Sequence, residues 1–128
     1  MNVALARNEY ANVKSNALSS KDENYKAVSL ALNQLLSCMA DLKEVDNPEE
    51  REPLFEKSLT SIYFLQKCLD FEQGGDLAKN LFKVYEFSRQ AILDFVLKGK
   101  GPANVDKAIE YVTLITEGWN EIEDSVKG

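Results

Sequence analysis

Apolar residues recur at steps of three and four over four stretches of the chain, the spacing that gathers side chains on one side of an α-helix. The predicted helices run over about 20–43, 48–72, 76–98 and 103–126, after an N-terminal arm over about 1–19. The first helix carries Tyr25, Val28, Leu32, Leu35, Met39 and Leu42 as its stripe. The second carries Leu54, Leu59, Ile62, Leu65 and Leu69. The third carries Leu77, Leu81, Val84, Tyr85, Ile92 and Phe95. The fourth is the cleanest, with Val105, Ala108, Ile109, Val112, Ile115, Thr116, Trp119, Ile122 and Val126 on one line. Trp119 falls on that stripe, where its default role is core packing with the indole N–H near the surface. Gly118 inside the same pattern costs roughly 1 kcal/mol relative to alanine.

Local signals punctuate these runs. Ser20-Lys21-Asp22-Glu23 has the form of a capping box for the first helix. Asn47 is a cap for the second, with Pro48 at its first position and Glu49 and Glu50 near its positive end. Pro53 then predicts a kink or a late start, because it lacks an N–H and clashes with the preceding turn. Gly74-Gly75 reads as the reversal between the second and third helices, with Gly74 left-handed and Asp76 capping the third. Leu97-Lys98-Gly99-Lys100-Gly101-Pro102 ends the third helix and restarts the chain. Connections this short make sequential helices antiparallel neighbours. The predicted fold is all-α, an antiparallel up-and-down four-helix bundle with a short N-terminal arm.

Several apolar residues fall outside the main stripes. Leu30, Ala31, Leu36, Cys38 and Ala40 widen the first helix's arc, Phe64 and Cys68 the second's, and Phe82 and Phe87 the third's. A broadly buried helix explains some of this surplus. A groove for an amphipathic or disordered partner explains the rest. Tyr10, in the arm, is either an exposed aromatic or a removable plug on such a groove.

Composition narrows the function. Of 128 residues, 45% are hydrophobic, enough for one domain with a real core. No apolar run is long enough to cross a bilayer, and the N-terminus lacks a secretory signal, so the expected location is the cytoplasm. Net charge is −6 without a basic patch, which argues against nucleic acid. Histidine is absent. Its absence removes the commonest general base, the usual di-iron ligands of helix bundles and the phosphoacceptor of phosphotransfer bundles. Cys38 and Cys68 read as buried thiols rather than ligands or nucleophiles. No serine or cysteine has a plausible base and no loop cradles a phosphate, so neither catalysis nor a cofactor or metal is expected. Composition does not distinguish a monomer from a dimer.

The segment Leu69-Asp70-Phe71-Glu72-Gln73-Gly74-Gly75-Asp76-Leu77-Ala78-Lys79-Asn80-Leu81, followed by Val84-Tyr85-Glu86-Phe87 and a late Trp119 with Glu121-Ile122, resembles the FliS family of flagellar secretion chaperones. The first helix departs from that family. Ser20 is followed by Lys21 where Ser-Pro is usual, and Tyr25-Lys26-Ala27-Val28 stands in the region of its Leu-Tyr-Asp-Gly element. The resemblance implies a non-catalytic bacterial chaperone that binds the disordered C-terminal region of flagellin in the cytoplasm. It would prevent premature polymerisation and deliver flagellin to the flagellar type III export apparatus. Tyr10 would be a displaceable plug, and residues near the glycine pair, Phe71, Leu77, Leu81 and Tyr85, would join Leu30, Phe64, Phe82 and Phe87 as partner-binding surface. The alternative is a helical-bundle adaptor or regulator that keeps the fold and binds another partner.

Overall fold

Four helices succeed one another in the computed structural model, which describes residues 21–127 and side chains over 25–121. They are α1 (Lys21–Glu44), α2 (Pro48–Lys67), α3 (Phe71–Leu97) and α4 (Ala103–Lys127). The Ser20 cap and the Tyr10 arm lie outside the described residues. At α2 the local signals act as expected. Asn47 accepts from the Glu49 N–H at 2.8 Å, and Pro48 occupies the first turn, where no N–H is needed. α2 neither ends nor restarts at Pro53 but runs through it. The lost donor leaves only the carbonyl of exposed Glu49, which water can satisfy.

The reversal between α2 and α3 comes earlier than the glycine pair. α2 stops at Lys67, and Asp70 rather than Asp76 is the cap, its Oδ1 accepting from the N–H groups of Glu72 and Gln73 at 3.0 Å each. Cys68 and Leu69 are both buried, so the chain has turned into the core before it reaches Gly74. One helical turn then precedes Gly75, whose non-helical φ of 52° and ψ of −127° interrupt α3 and separate that turn from the long helix that follows. A Cβ built on Gly75 would meet nothing within 4 Å. The glycine is therefore required by backbone conformation and not by space.

Each helix packs on its sequence neighbours, and α1 closes on α4, which makes the antiparallel up-and-down four-helix bundle. At one end Lys43 pairs with Asp106. At the other the Trp119 ring lies 5.2 Å from Tyr25, and its Nε1 donates to the Tyr25 carbonyl at 3.3 Å. The indole N–H is thus satisfied inside the bundle, not near the surface as its place on the stripe suggested. Val28, Leu32, Leu35 and Met39 of α1 meet Ile62 and Leu65 of α2, Leu81, Tyr85 and Ile92 of α3, and Ala108 and Val112 of α4 in one core. Small buried residues let the helices approach. Ser58, Ser61 and Ser88 donate to carbonyls of their own helices at 2.8, 2.9 and 2.9 Å. Ser61 also accepts from Gln34 of α1 at 2.8 Å. Cys38 and Cys68 are free and buried, and burial pushes the Cys38 thiol up, keeping it protonated.

At the end of α3, Gly99 takes a left-handed φ of 67°, and the Asp94 carbonyl accepts from the backbone N–H groups of Lys98 and Lys100 at 3.1 and 3.2 Å. The Gln90 amide, at 2.9 Å, and the ammonium groups of Lys98 and Lys100 hold the Asp94 carboxyl below the usual carboxylate range, against the opposing effect of burial. Arg51 staples the neighbouring loop. Its Nε donates to the Val45 carbonyl at 2.6 Å, and its guanidinium lies 5.0 Å from the centre of the Phe95 ring.

Gly75→Ala should cost about 1–3 kcal/mol by denaturant melting, whereas Gly101→Ala should stay within about 0.5 kcal/mol. Because the folded-state pKa of Asp94 is depressed, its contribution is present above the unfolded carboxylate range and lost as pH falls through the depressed value. Asp94→Asn should therefore lower the melting temperature at neutral pH, and its gap from the unsubstituted chain should narrow in thermal melts taken progressively into acid.

Candidate protein-binding surface

Among the described residues, no group of three His, Cys, Asp or Glu side chains could hold a metal ion, and no helix is long and apolar enough to cross a membrane. What the bundle offers is apolar surface. Between α3 and α4 lies a mostly apolar cleft of about 340 Å³, lined by Leu77, Asn80, Leu81, Val84, Tyr111, Leu114 and Ile115. Leu77, Leu81 and Ile115 are core residues that form its floor. Leu114, 60% exposed, and Tyr111 stand on its α4 wall. The Phe87 ring meets Tyr111 edge-on at 5.9 Å and bridges the two helices. A second hollow of about 560 Å³ lies between α1 and α2, lined by Leu30, Leu54 and Cys38 but also by Asn33, Gln34, Ser37, Asp41 and Lys57. Its polar lining makes it the weaker candidate for an apolar ligand.

The residues singled out from sequence do not form one patch. Leu30, 70% exposed, borders the α1–α2 hollow. Phe64 is half-buried against the core. Phe71 and Phe82 form an exposed edge-to-face pair at 5.9 Å. Phe82 and Phe87 are five residues apart, which sets them about 140° apart around α3, so they face different neighbours. Leu77 and Leu81 are buried beneath the α3–α4 cleft. Tyr85 is 0% exposed and belongs to the core, so it is scaffold rather than surface. Its place, four residues after Leu81 and seven before Ile92, puts it in the centre of the buried face of α3.

Tyr111 and Leu114 are the residues that periodicity passes over. Their signal is nevertheless present in the sequence. Both are apolar, three apart, and just outside the stripe of α4, between Glu110 and Glu117. Beside Phe82, Glu86 accepts from Gln66 of α2 at 2.8 Å and takes a two-point contact from Arg89 at 3.2 and 2.9 Å. The Arg89 guanidinium, and then the Gln66 amide, hold Glu86 below the usual carboxylate range.

An apolar cleft on an acidic helical bundle is a feature many proteins share, and comparison with known proteins narrows the choice. The profile of the flagellar protein FliS family matches residues 6–126, through all four helices. The chain belongs to the FliS family. Over 92 residues it is 34% identical to the flagellar secretion chaperone FliS of Vibrio cholerae serotype O1, an alignment covering 72% of this chain and 66% of that relative. The chain thus spans slightly under two thirds of that FliS protein. No solved structure matches the chain.

Surface and scaffold in this FliS-family bundle separate by mutation. Leu114→Ala should change unfolding free energy by no more than about 0.5 kcal/mol. Tyr85→Ala should cost about 3–5 kcal/mol. Denaturant titration of the two variants distinguishes a free cleft wall from a core position.

Proposed function

We propose that this FliS-family chain is a flagellar export chaperone that binds the disordered C-terminal region of flagellin in the bacterial cytoplasm. By covering that region it prevents premature polymerisation, and it delivers the bound flagellin to the flagellar type III export apparatus. Family membership supports the chaperone role, and the observation that carries the binding role is the apolar cleft between α3 and α4. Its floor is made by core residues and is in place before any partner arrives, which lowers the cost of binding. Its exposed wall, Tyr111 and Leu114, leaves apolar surface to be covered. Covering a fully exposed apolar side chain contributes about 1.5–3 kcal/mol, and a half-exposed one about half of that. A disordered segment suits a surface of this kind, because it adapts to a shallow groove and gives up ordering entropy on binding.

A second reading, an adaptor on the same fold with another partner, draws on the first helix. That helix departs from the family's sequence, and it presents Leu30 to solvent beside a partly polar hollow.

Calorimetric titration with the C-terminal segment of flagellin from the same organism separates the two. The chaperone reading predicts stoichiometric binding with a strongly negative heat-capacity change, the mark of apolar burial coupled to folding. Absence of heat, together with absence of co-elution on sizing, would overturn it in favour of the adaptor.

A further inference from the structure

The lining of the cleft between α3 and α4 is uncharged, and helix periodicity sets charged residues beyond its ends. Along α3, Asp76, Asn80, Lys83 and Phe87 succeed one another at steps of four, three and four. Along α4, Lys107, Tyr111, Leu114, Gly118 and Glu121 do the same at steps of four, three, four and three. Each set is one stripe of its helix. Asn80 lies on the first stripe and Tyr111 and Leu114 on the second, and all three line the cleft, so the charged members of each stripe flank it.

The Phe87–Tyr111 contact sets the register between these antiparallel helices. Lys83 precedes Phe87 by four residues and Lys107 precedes Tyr111 by four. Because the helices run in opposite directions, the lysines fall on opposite sides of the aromatic pair, each about 6 Å along the axis from it. A lysine side chain spans that distance. Asp76 lies seven residues before Lys83, about 10 Å further along the cleft, and the register brings Glu121 to the same end. The Phe87–Tyr111 end therefore carries two lysines and the other end two acids, while Glu110, beside Tyr111, is set about 60° round α4 from Lys107 on the side away from Ile115 and the cleft floor.

Some cations of the bundle are engaged and others, Lys26, Lys57 and Lys79 among them, are not, so what marks Lys83 and Lys107 is their place beside the cleft. Lys43 is paired with Asp106, Arg89 with Glu86, and Lys98 and Lys100 with Asp94. Lys83 and Lys107 have no ion-pair or hydrogen-bond partner among the described residues. In a chain of net charge −6, two unpaired ammonium groups bracketing an aromatic pair at the end of an apolar cleft form a local field of the opposite sign.

We infer that the cleft takes an apolar segment carrying a carboxylate side chain, and that this carboxylate sits over the Phe87–Tyr111 pair between Lys83 and Lys107. The inference rests on the chaperone reading and adds the chemistry of the segment and its placement. Apolar side chains of the segment cover Leu77, Leu81 and Leu114. A carboxylate at the other end would meet Asp76 and Glu121, a like-charge contact that opposes the shifted placement. Lys83 and Asp76 are about one screening length apart at 0.1 M salt, roughly 10 Å, and Lys107 and Glu121 about two, so the two ends act as separate charges.

The test is calorimetric titration of the full chain with the flagellin C-terminal segment, at about 50 mM and about 1 M salt. The K83E/K107E variant is compared with K26E/K67E, which changes net charge equally but lies on helices away from the cleft. Circular dichroism melts confirm that each variant is folded. K83E/K107E should weaken binding about ten-fold more than the control at low salt, and the difference should shrink at high salt. A segment whose Asp and Glu residues are changed to Asn and Gln should bind the unsubstituted chain more weakly and be insensitive to K83E/K107E. If the unsubstituted chain binds and K83E/K107E costs no more than K26E/K67E, the charged docking mode is overturned and the chaperone reading stands. If the unsubstituted chain does not bind the segment at all, both are overturned together.

Discussion

The contact between Tyr25 and Trp119 joins positions 94 residues apart and closes the bundle on itself. Three of the four helix interfaces are made by sequence neighbours, and short connections bring those together at little entropic cost. The fourth, α1 against α4, has no such help. It is held by the buried rings of Tyr25 and Trp119 at one end and by the Lys43–Asp106 pair at the other. The indole N–H finds its acceptor in a backbone carbonyl of the opposite helix, so burial of the largest side chain in the chain leaves no polar group unmet. Without this closure the apolar faces of α1 and α4 would each lack a neighbour, and Val28 and Val112 would not share a core.

Much of the architecture is legible in the sequence because its causes are local. Asn47 and Pro48 start a helix through bonds made within a few residues, and the structure has them where the sequence puts them. The glycine pair misleads for an equally physical reason. Two aspartates six residues apart each have the chemistry of a cap, and local propensity does not choose between Asp70 and Asp76. Tertiary burial of Cys68 and Leu69 chooses, because those side chains reach the core only if the chain turns before Phe71. Gly75 then breaks the helical backbone between the first turn of α3 and its long run.

The binding surface is less legible. Periodicity identifies apolar side chains but not which gap between helices stays open. Tyr85 and Tyr111 have the same side chain, yet Tyr85 points to the centre of the bundle and Tyr111 to its rim. The surplus on α2 and α3 stands out because it lies outside the stripes, while the pair that lines the cleft is on the helix with the cleanest pattern. A helix with an unambiguous core face is where an extra apolar pair tells most, since nothing in the core requires it. Tyr111 and Leu114 are such a pair.

The size of the cleft constrains how a segment can be held. Its floor is already buried by the fold, so a partner gains mainly by covering Tyr111, Leu114 and the edges around them. Covering what remains exposed of Leu114 and Tyr111, 60% and 38%, is worth about 1.5–3 kcal/mol, while ordering each residue of a flexible segment costs about 1–2 kcal/mol in backbone entropy alone. A segment of five or six residues in this cleft would therefore gain little net affinity. Stable capture on the proposed reading requires further contacts, and the remaining exposed large apolar groups among the described residues are distributed around the bundle: the Phe71–Phe82 pair, Tyr63 on α2, Leu97 at the end of α3 and Leu30 at the α1–α2 hollow. A partner using all of them has to pass around several helices in one continuous chain. Its affinity is then the product of weak, linked contacts, each of which can open separately. That arrangement suits a chaperone whose cargo must be held firmly during transfer and still be peeled away one contact at a time.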